Sequence, residues 1–178
     1  MCEELAQYYN TLWCPEFARE YLLTNGKNYD FEDLSLIAKG QLAMEDEYAS
    51  MVNGLWTMIE GNMYINQQSQ EAIRHEPLLF IDTDMYVIKV WSEYVFNKCD
   101  AVVLSEIANR KYDLYLLCNI DLPWAKDDLR EYPDEGPRQE LYKIYKDILI
   151  NQHTPWAEIS GTDNERLYKA VEAIKRII

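Results

Sequence analysis

The sequence predicts an α/β fold, a parallel sheet with helices packed on both faces, and three observations carry that expectation. The first is the run Leu78-Leu79-Phe80-Ile81, closed by Asp82-Thr83-Asp84. Unbroken large apolar residues of this kind read as a strand buried on both faces, the pattern of a covered parallel sheet. The second is the alternation of short apolar runs with stretches whose apolar residues recur at helical spacing, which calls for right-handed crossovers. The third is the placement of Asp82 and Asp84 where the strand ends, because ligands of open α/β sheets bind outside the carboxyl ends of the strands.

Each element can be justified in order. Leu5, Tyr8 and Tyr9 have helical spacing, with no Ser, Thr or Asp before them to cap the first turn. Thr11-Leu12-Trp13-Cys14 is a short strand ended by Pro15, and residues 16–20 follow at its carboxyl edge. After Tyr29-Asp30-Phe31-Glu32 a long helix is expected, with Leu34, Ile37, Leu42 and Met44 as its inward stripe. Gln41 and Glu45 lie one turn apart on that helix, hence on one face. Gly54 and Gly61 are expected to break it, and residues 54–70 read as an insertion in which Met63-Tyr64-Ile65 is strand or helix. Helices follow at 85–97, where Val87, Val90, Trp91 and Tyr94 form the apolar face, and at 102–108. A second buried strand covers 112–118 and ends at Asn119-Ile120-Asp121. Pro123, Pro133, Gly136 and Pro137 make a turn-rich excursion, a lid region over about 120–140. Helix returns at 139–151, a last strand covers 154–160, and residues 165–178 close the chain as a helix with Leu167, Val171, Ile174 and Ile178 inward.

Composition limits the function classes. The chain has 178 residues, 48% of them hydrophobic, which suits one domain burying roughly 70% of its unfolded surface. No apolar run is long enough for a membrane span and no basic-then-apolar leader is present, so a cytoplasmic protein is the expectation. Cys2, Cys14, Cys99 and Cys118 show no paired spacing and His75 and His153 stand apart, which argues against a metal cage or disulfide framework. A formal net charge of -14 argues against nucleic acid and anionic membrane as partners. Nothing in the composition opposes a homo-oligomer. Positive charge gathers only at Lys126, Arg130, Arg138, Lys143 and Lys146.

Four segments in order carry a family resemblance: residues 10–21, which contain Pro15-Glu16-Phe17-Ala18-Arg19-Glu20; Ile37-Ala38-Lys39-Gly40-Gln41 with Glu45; Phe80-Ile81-Asp82-Thr83-Asp84 with Lys89-Val90-Trp91; and Asp121-Leu122-Pro123-Trp124 through Asp127-Asp128-Leu129-Arg130. Together they resemble the NadR-type ribosylnicotinamide kinase domain over nearly all of residues 1–178. The resemblance implies a single domain with the three-layer parallel sheet of P-loop nucleoside kinases. It implies ATP and Mg2+ as cofactors and transfer of the γ-phosphoryl group to the 5′-hydroxyl of nicotinamide riboside, a step in NAD biosynthesis.

The chain departs from that family at its amino end. Family members begin with a strand and a GxxxxGK[ST] loop whose amides and lysine cradle phosphates, and no such run occurs in these residues. The expectation is therefore a chain that binds ATP weakly and is inactive without that loop; the alternative is a non-catalytic nucleoside-binding or regulatory domain. In the family the first strand lies centrally, between the runs at 78–84 and 112–118. Its absence would leave a slot with neighbours roughly 4.8 Å to either side. Unpaired buried backbone is costly, so the two runs are expected to pair directly, or another segment, such as residues 63–65, or a second molecule is expected to fill the gap.

Roles for individual residues follow from the chemistry of phosphoryl transfer, which asks for positioning and positive charge. Asp82 is the candidate for magnesium or for orienting the acceptor hydroxyl. Asp84 lies beside it, but strand alternation turns the two to opposite sides. Arg130 and Arg138 are the candidate lid cations for ATP phosphates. The resemblance places the riboside pocket at Glu16 and Arg19, with Gln41 and Glu45 as further lining. A pyridinium cation suits an acidic, aromatic-lined site, for which Trp13, Phe17, Tyr48 and Trp91 are candidates.

Overall fold

The computed structural model describes residues 1–63, 77–127, 129 and 132–178, with side chains described up to Leu55 in the helix that ends at Met63. Helix α1 (Cys2–Tyr9) passes into strand β1 (Leu12–Cys14) through Asn10, which takes the left-handed conformation at φ 50° that Asn tolerates better than most residues. Pro15 ends the strand, and α2 (Phe17–Asn25) starts at once with Glu16 as its N-cap residue. The periodicity of 16–20 is too short to reveal this helix. Gly26 closes it at φ 94°.

Helix α3 (Phe31–Met63) is the longest element. Asp30 and Asp33 cap its start reciprocally, each accepting from the other's backbone N–H at 3.0 and 2.8 Å. It runs through Gly54 and Gly61, contrary to the break expected there. A glycine inside a helix costs only about 1 kcal/mol relative to alanine, too little to end a helix already extended by more than twenty residues. Of the expected insertion, residues 64–70 lie outside the described residues. The inward stripe is as expected at Leu34, Ile37 and Leu42, which form a buried cluster with Ala18, Met85, Ile88 and Val103.

Strand β2 (Leu79–Ile81) leads to α4 (Met85–Phe96) and α5 (Ala101–Asn109), both capped by aspartates: Asp84 accepts from Val87 N–H at 3.1 Å and Asp100 from Val102 N–H at 2.8 Å. β3 is shorter than expected, Tyr115–Cys118, because the Tyr112 side chain turns away to Glu45. α6 (Glu135–Asn151) begins earlier than expected and takes Gly136 and Pro137 into its first turn, where proline's missing N–H has no intrahelical partner to lose. β4 (Trp156–Ile159) and α7 (Asp163–Ile174) complete the chain. A Thr162–Glu165 capping box starts α7, which stops short of Ile178, leaving that residue exposed.

The strands form two parallel pairs. β1 lies against β2 with Trp13 opposite Phe80, and β3 lies against β4 with Leu116 opposite Ala157. Among the described residues β2 and β3 do not pair, and the strands seen form two-stranded sheets only. Among the described residues no strand fills the slot, and residues 64–65 of the expected donor lie outside them. A cavity of about 600 Å³ separates the two strands, lined by Leu79, Phe80, Leu116 and Leu117. The physical reason lies in the helices beside it: one apolar cluster joins Leu5 of α1 and Ala170, Val171 and Ile174 of α7 to Phe80 of β2, Leu116 of β3 and Ile159 of β4. Drawing the strands together would require that cluster to repack. No helix among the described residues is long and apolar enough to cross a membrane.

Gly40 gives a test of this packing. A Cβ there would meet the Phe17 ring at 2.1 Å. Alanine's helix propensity would return about 1 kcal/mol, while overpacking a core contact costs typically 1–3 kcal/mol. Gly40→Ala is therefore expected to lower stability to urea, and an unchanged or raised midpoint would show that Phe17 moves freely.

Candidate functional site

The carboxyl ends of β1 and β2 gather the charged side chains of greatest chemical interest. Asp82 follows β2, its N–H bonded to Cys14 O at 3.0 Å, and its side chain is exposed. Glu16 and Arg19 come from the turn after β1 and the first turn of α2, and both Glu16 and Asp82 act on Arg19 electrostatically. Arg19 pairs with Asp127 at 2.8 Å, which ties the excursion after β3 to this edge and raises the guanidinium above its ordinary value. The amino end of α1 completes the group. The Cys2 thiol hydrogen-bonds Asp82, and burial together with that carboxylate pushes its pKa up to about 12. The Met1 amino group and Cys118 also lie within electrostatic reach of Cys2, so the carboxyl ends of β2 and β3 meet at the start of α1.

Gln41 and Glu45, expected beside the riboside pocket, occupy different places. Gln41 is fully buried; its Oε1 accepts from Phe17 N–H at 2.8 Å and its Nε2 donates to Pro15 O at 3.3 Å. Those bonds hold the turn that presents Glu16 and Arg19. Glu45 accepts from Arg110 at 3.1 Å and from the Tyr112 hydroxyl at 3.0 Å, and burial raises its pKa despite the guanidinium. Arg110 also pairs with Asp46 and Glu106.

Asp84 belongs to this second, inner group. It lines the cavity between β2 and β3, and burial pushes its carboxyl up to about 6, the bonds from Val87 N–H and the Tyr115 hydroxyl opposing the rise. Tyr145 of α6 lies within electrostatic reach of both Asp84 and Glu16, and its hydroxyl is raised by burial. Tyr112, Tyr115 and Tyr145 were not expected at a site. An aromatic in a strand or on an apolar helix face reads as core, and no spacing marks its hydroxyl as a partner for an acid.

The lid cations divide. Arg138 donates to Ile120 O and Leu122 O, both at 3.4 Å, and its guanidinium lies 5.4 Å from the centre of the Trp124 ring. It braces the excursion. Arg130 lies outside the described residues. Of the aromatic candidates, Trp91 donates to the Tyr29 hydroxyl at 2.7 Å and packs with Phe17 against the α2–α3–α4 core. Trp13 and Tyr48 line a separate hollow with Glu3. Among the described residues no three His, Cys, Asp or Glu side chains form a metal-holding group.

Asp84 makes a pH test. Its folded pKa of about 6 lies above the ordinary 3.8, so between those values the folded chain holds a proton that the unfolded chain releases. That contribution to stability is complete below about pH 4 and is lost as pH rises through 6. Asp84→Asn keeps an acceptor for Val87 and removes the titration. The stability of the wild type relative to the variant is expected to fall by on the order of 2 kcal/mol between pH 4 and 7. A pH-independent difference in urea unfolding would show that Asp84 is not held protonated.

Comparison with known proteins adds the family. No curated protein matches the chain. The family model described as an AAA domain matches residues 1–166 and supports a P-loop NTPase-like domain, with which the parallel α/β elements agree. The chain belongs to the AAA domain family.

Proposed function

We propose that this chain binds a nucleoside at the carboxyl edge of β1 and β2 as the acceptor part of an ATP-dependent phosphotransferase. Nicotinamide riboside is the acceptor that the four matched segments imply. The observation that supports the reading most is the position of Asp82, exposed past the end of β2 between the start of α1 and the Glu16–Arg19 turn.

The residues present fit MgATP in part. Magnesium bound to substrate phosphates takes one or two carboxylates from the protein, which Asp82 can supply. The amino end of α1 offers amides and the positive end of a helix dipole toward phosphate oxygens. ATP, when bound, supplies the transferable phosphoryl group. Asp82 accepts a hydrogen bond from the acceptor hydroxyl and aligns it for attack, Arg19 places positive charge beside it, and Glu16 gives the edge a negative partner for a pyridinium ring. Arg19 of this edge is already engaged with Asp127, and Arg138, the described lid arginine, with two carbonyls of the excursion. That engagement favours a second reading, a domain that binds the nucleoside without phosphorylating it.

Calorimetry and a transfer assay with millimolar MgATP separate these readings. Saturable binding of nicotinamide riboside is expected, with MgATP binding weaker than micromolar, since one helix end replaces several preorganised contacts. Where product forms, Asp82→Asn is expected to lower kcat by about two orders of magnitude at an unchanged melting temperature. Riboside binding without product would favour the second reading, and absence of riboside binding would overturn both.

A further inference from the structure

Helix α2 begins without a cap of its own. Its N-cap residue, Glu16, makes no side-chain cap, and the first N–H groups of a helix need partners from outside the helix. Gln41, fully buried on α3, supplies one: its Oε1 accepts from Phe17 N–H at 2.8 Å, while its Nε2 donates to Pro15 O at 3.3 Å and to Cys14 Sγ at 3.6 Å. Phe17 N–H can only donate and Pro15 O can only accept, so chemistry dictates which end of the amide faces which group. The preceding carbonyl, Cys14 O, is taken by Asp82 N–H at 3.0 Å. Consecutive carbonyls of one turn are thus gripped by the end of β2 and by α3.

We propose that Gln41 is a positioning residue: by capping α2 from another helix it sets Glu16 and Arg19 against Asp82, and so fixes the geometry that a nucleoside meets at this edge. Gly40 makes the cap possible, since a Cβ there would meet the Phe17 ring at 2.1 Å and hold the start of α2 away from α3. Because the cap comes from α3, it does not draw on Glu16, which together with Asp82 acts on Arg19 instead. Arg19 stands two residues past Phe17, in the turn that the cap starts. Loss of the Phe17 bond is therefore passed to Arg19 and to its pair with Asp127. The inference rests on the nucleoside reading for its ligand and on these bonds for its geometry.

Gln41→Glu is the informative variant. A protonated carboxyl repeats the amide's pattern of one acceptor and one donor, whereas an ionised one only accepts and sets a charge against Pro15 O. Burial favours the protonated form, as do the carboxylates of Glu16, Glu45 and Asp82, the last two already acting on the adjacent Cys14 thiol; Arg19 of α2 and Arg110, paired with Glu45, oppose them. Riboside affinity by calorimetry, and the Arg19 resonances of the ligand-free chain labelled with nitrogen-15, are followed from about pH 5 to about pH 8. Gln41→Glu is expected to match the wild type at the acid end. By the alkaline end it is expected to bind at least about tenfold more weakly, with the Arg19 resonances displaced at the same midpoint. Gln41→Met, similar in length but without the bonds, is expected to be weakened and displaced throughout. Ile37→Val trims the same helix one turn away, and is expected to lower the melting temperature while leaving the Arg19 resonances in place. Arg19 resonances indifferent to both Gln41 variants, or unaltered riboside affinity in Gln41→Met, would overturn the proposal. A wild type that fails to bind the riboside sinks the nucleoside reading, and the Arg19 resonances then decide the positioning role by themselves.

Discussion

The two strand pairs depend on a single apolar layer for their relation to each other. In a continuous parallel sheet, backbone hydrogen bonds fix the distance between neighbouring strands. Here that role falls to one apolar cluster, in which Leu5 of α1, packed on β1 and β2, meets Ala170, Val171 and Ile174 of α7, packed on β4. The non-directional character of apolar burial has a consequence. Side chains can hold the pairs near each other without specifying a register between β2 and β3, which do not pair with each other. Register is firm only inside each pair, where hydrogen bonds set it.

Polar burial supplies the precision that this layer lacks. Gln41 and Gly40 act as one device on α3: the glycine lets the Phe17 ring approach the helix backbone, and the neighbouring amide bonds the Phe17 N–H and the Pro15 carbonyl. A fully buried amide with bonds at both ends fixes orientation because leaving either end unmet costs about 1–3 kcal/mol. The turn between β1 and α2 is thereby held, and Glu16 and Arg19 with it. The ion pair Arg19–Asp127, whose arginine is nearly half exposed, contributes little to stability; its effect is to bring the excursion after β3 over the same edge.

The legible parts of the fold were those written in period and punctuation. The run at 78–81, the stripe at Leu34, Ile37 and Leu42, and the alternation of strands with helices are local signals, and the elements follow them. α2 went unread because its apolar face is short and its cap residue, Glu16, makes no side-chain cap. The continuation of α3 through Gly54 and Gly61 went unread because propensity is a small local term beside the cooperativity of an established helix. Among the candidate site residues, Asp82, Glu16 and Arg19 were singled out through strand ends and matched segments, and the structure gathers them on one edge. Gln41 and Glu45 share a helix face, as their spacing demands, but that face meets a turn at one position and a tyrosine–arginine group at the other. Sequence spacing fixes which residues lie side by side and is silent about what comes to lie opposite them.

Asp82 and Asp84 show how far that principle reaches. Two acids separated by one threonine at a strand end are chemically alike, and alternation alone says they diverge. The surroundings decide what divergence means. Asp82 emerges into solvent beside the start of α1, where it accepts from the Cys2 thiol. Asp84 turns inward as the cap of α4, among Tyr115 and Tyr145 and within reach of Glu45, where the charged form is disfavoured and its carboxyl rises to about 6. Burial opposes the charged form of Asp84 but leaves it suited to anchoring a helix, since a carboxyl oxygen can accept from Val87 N–H with or without a proton on the group. One short motif thus divides its two acids between an exposed edge and the architecture beneath it.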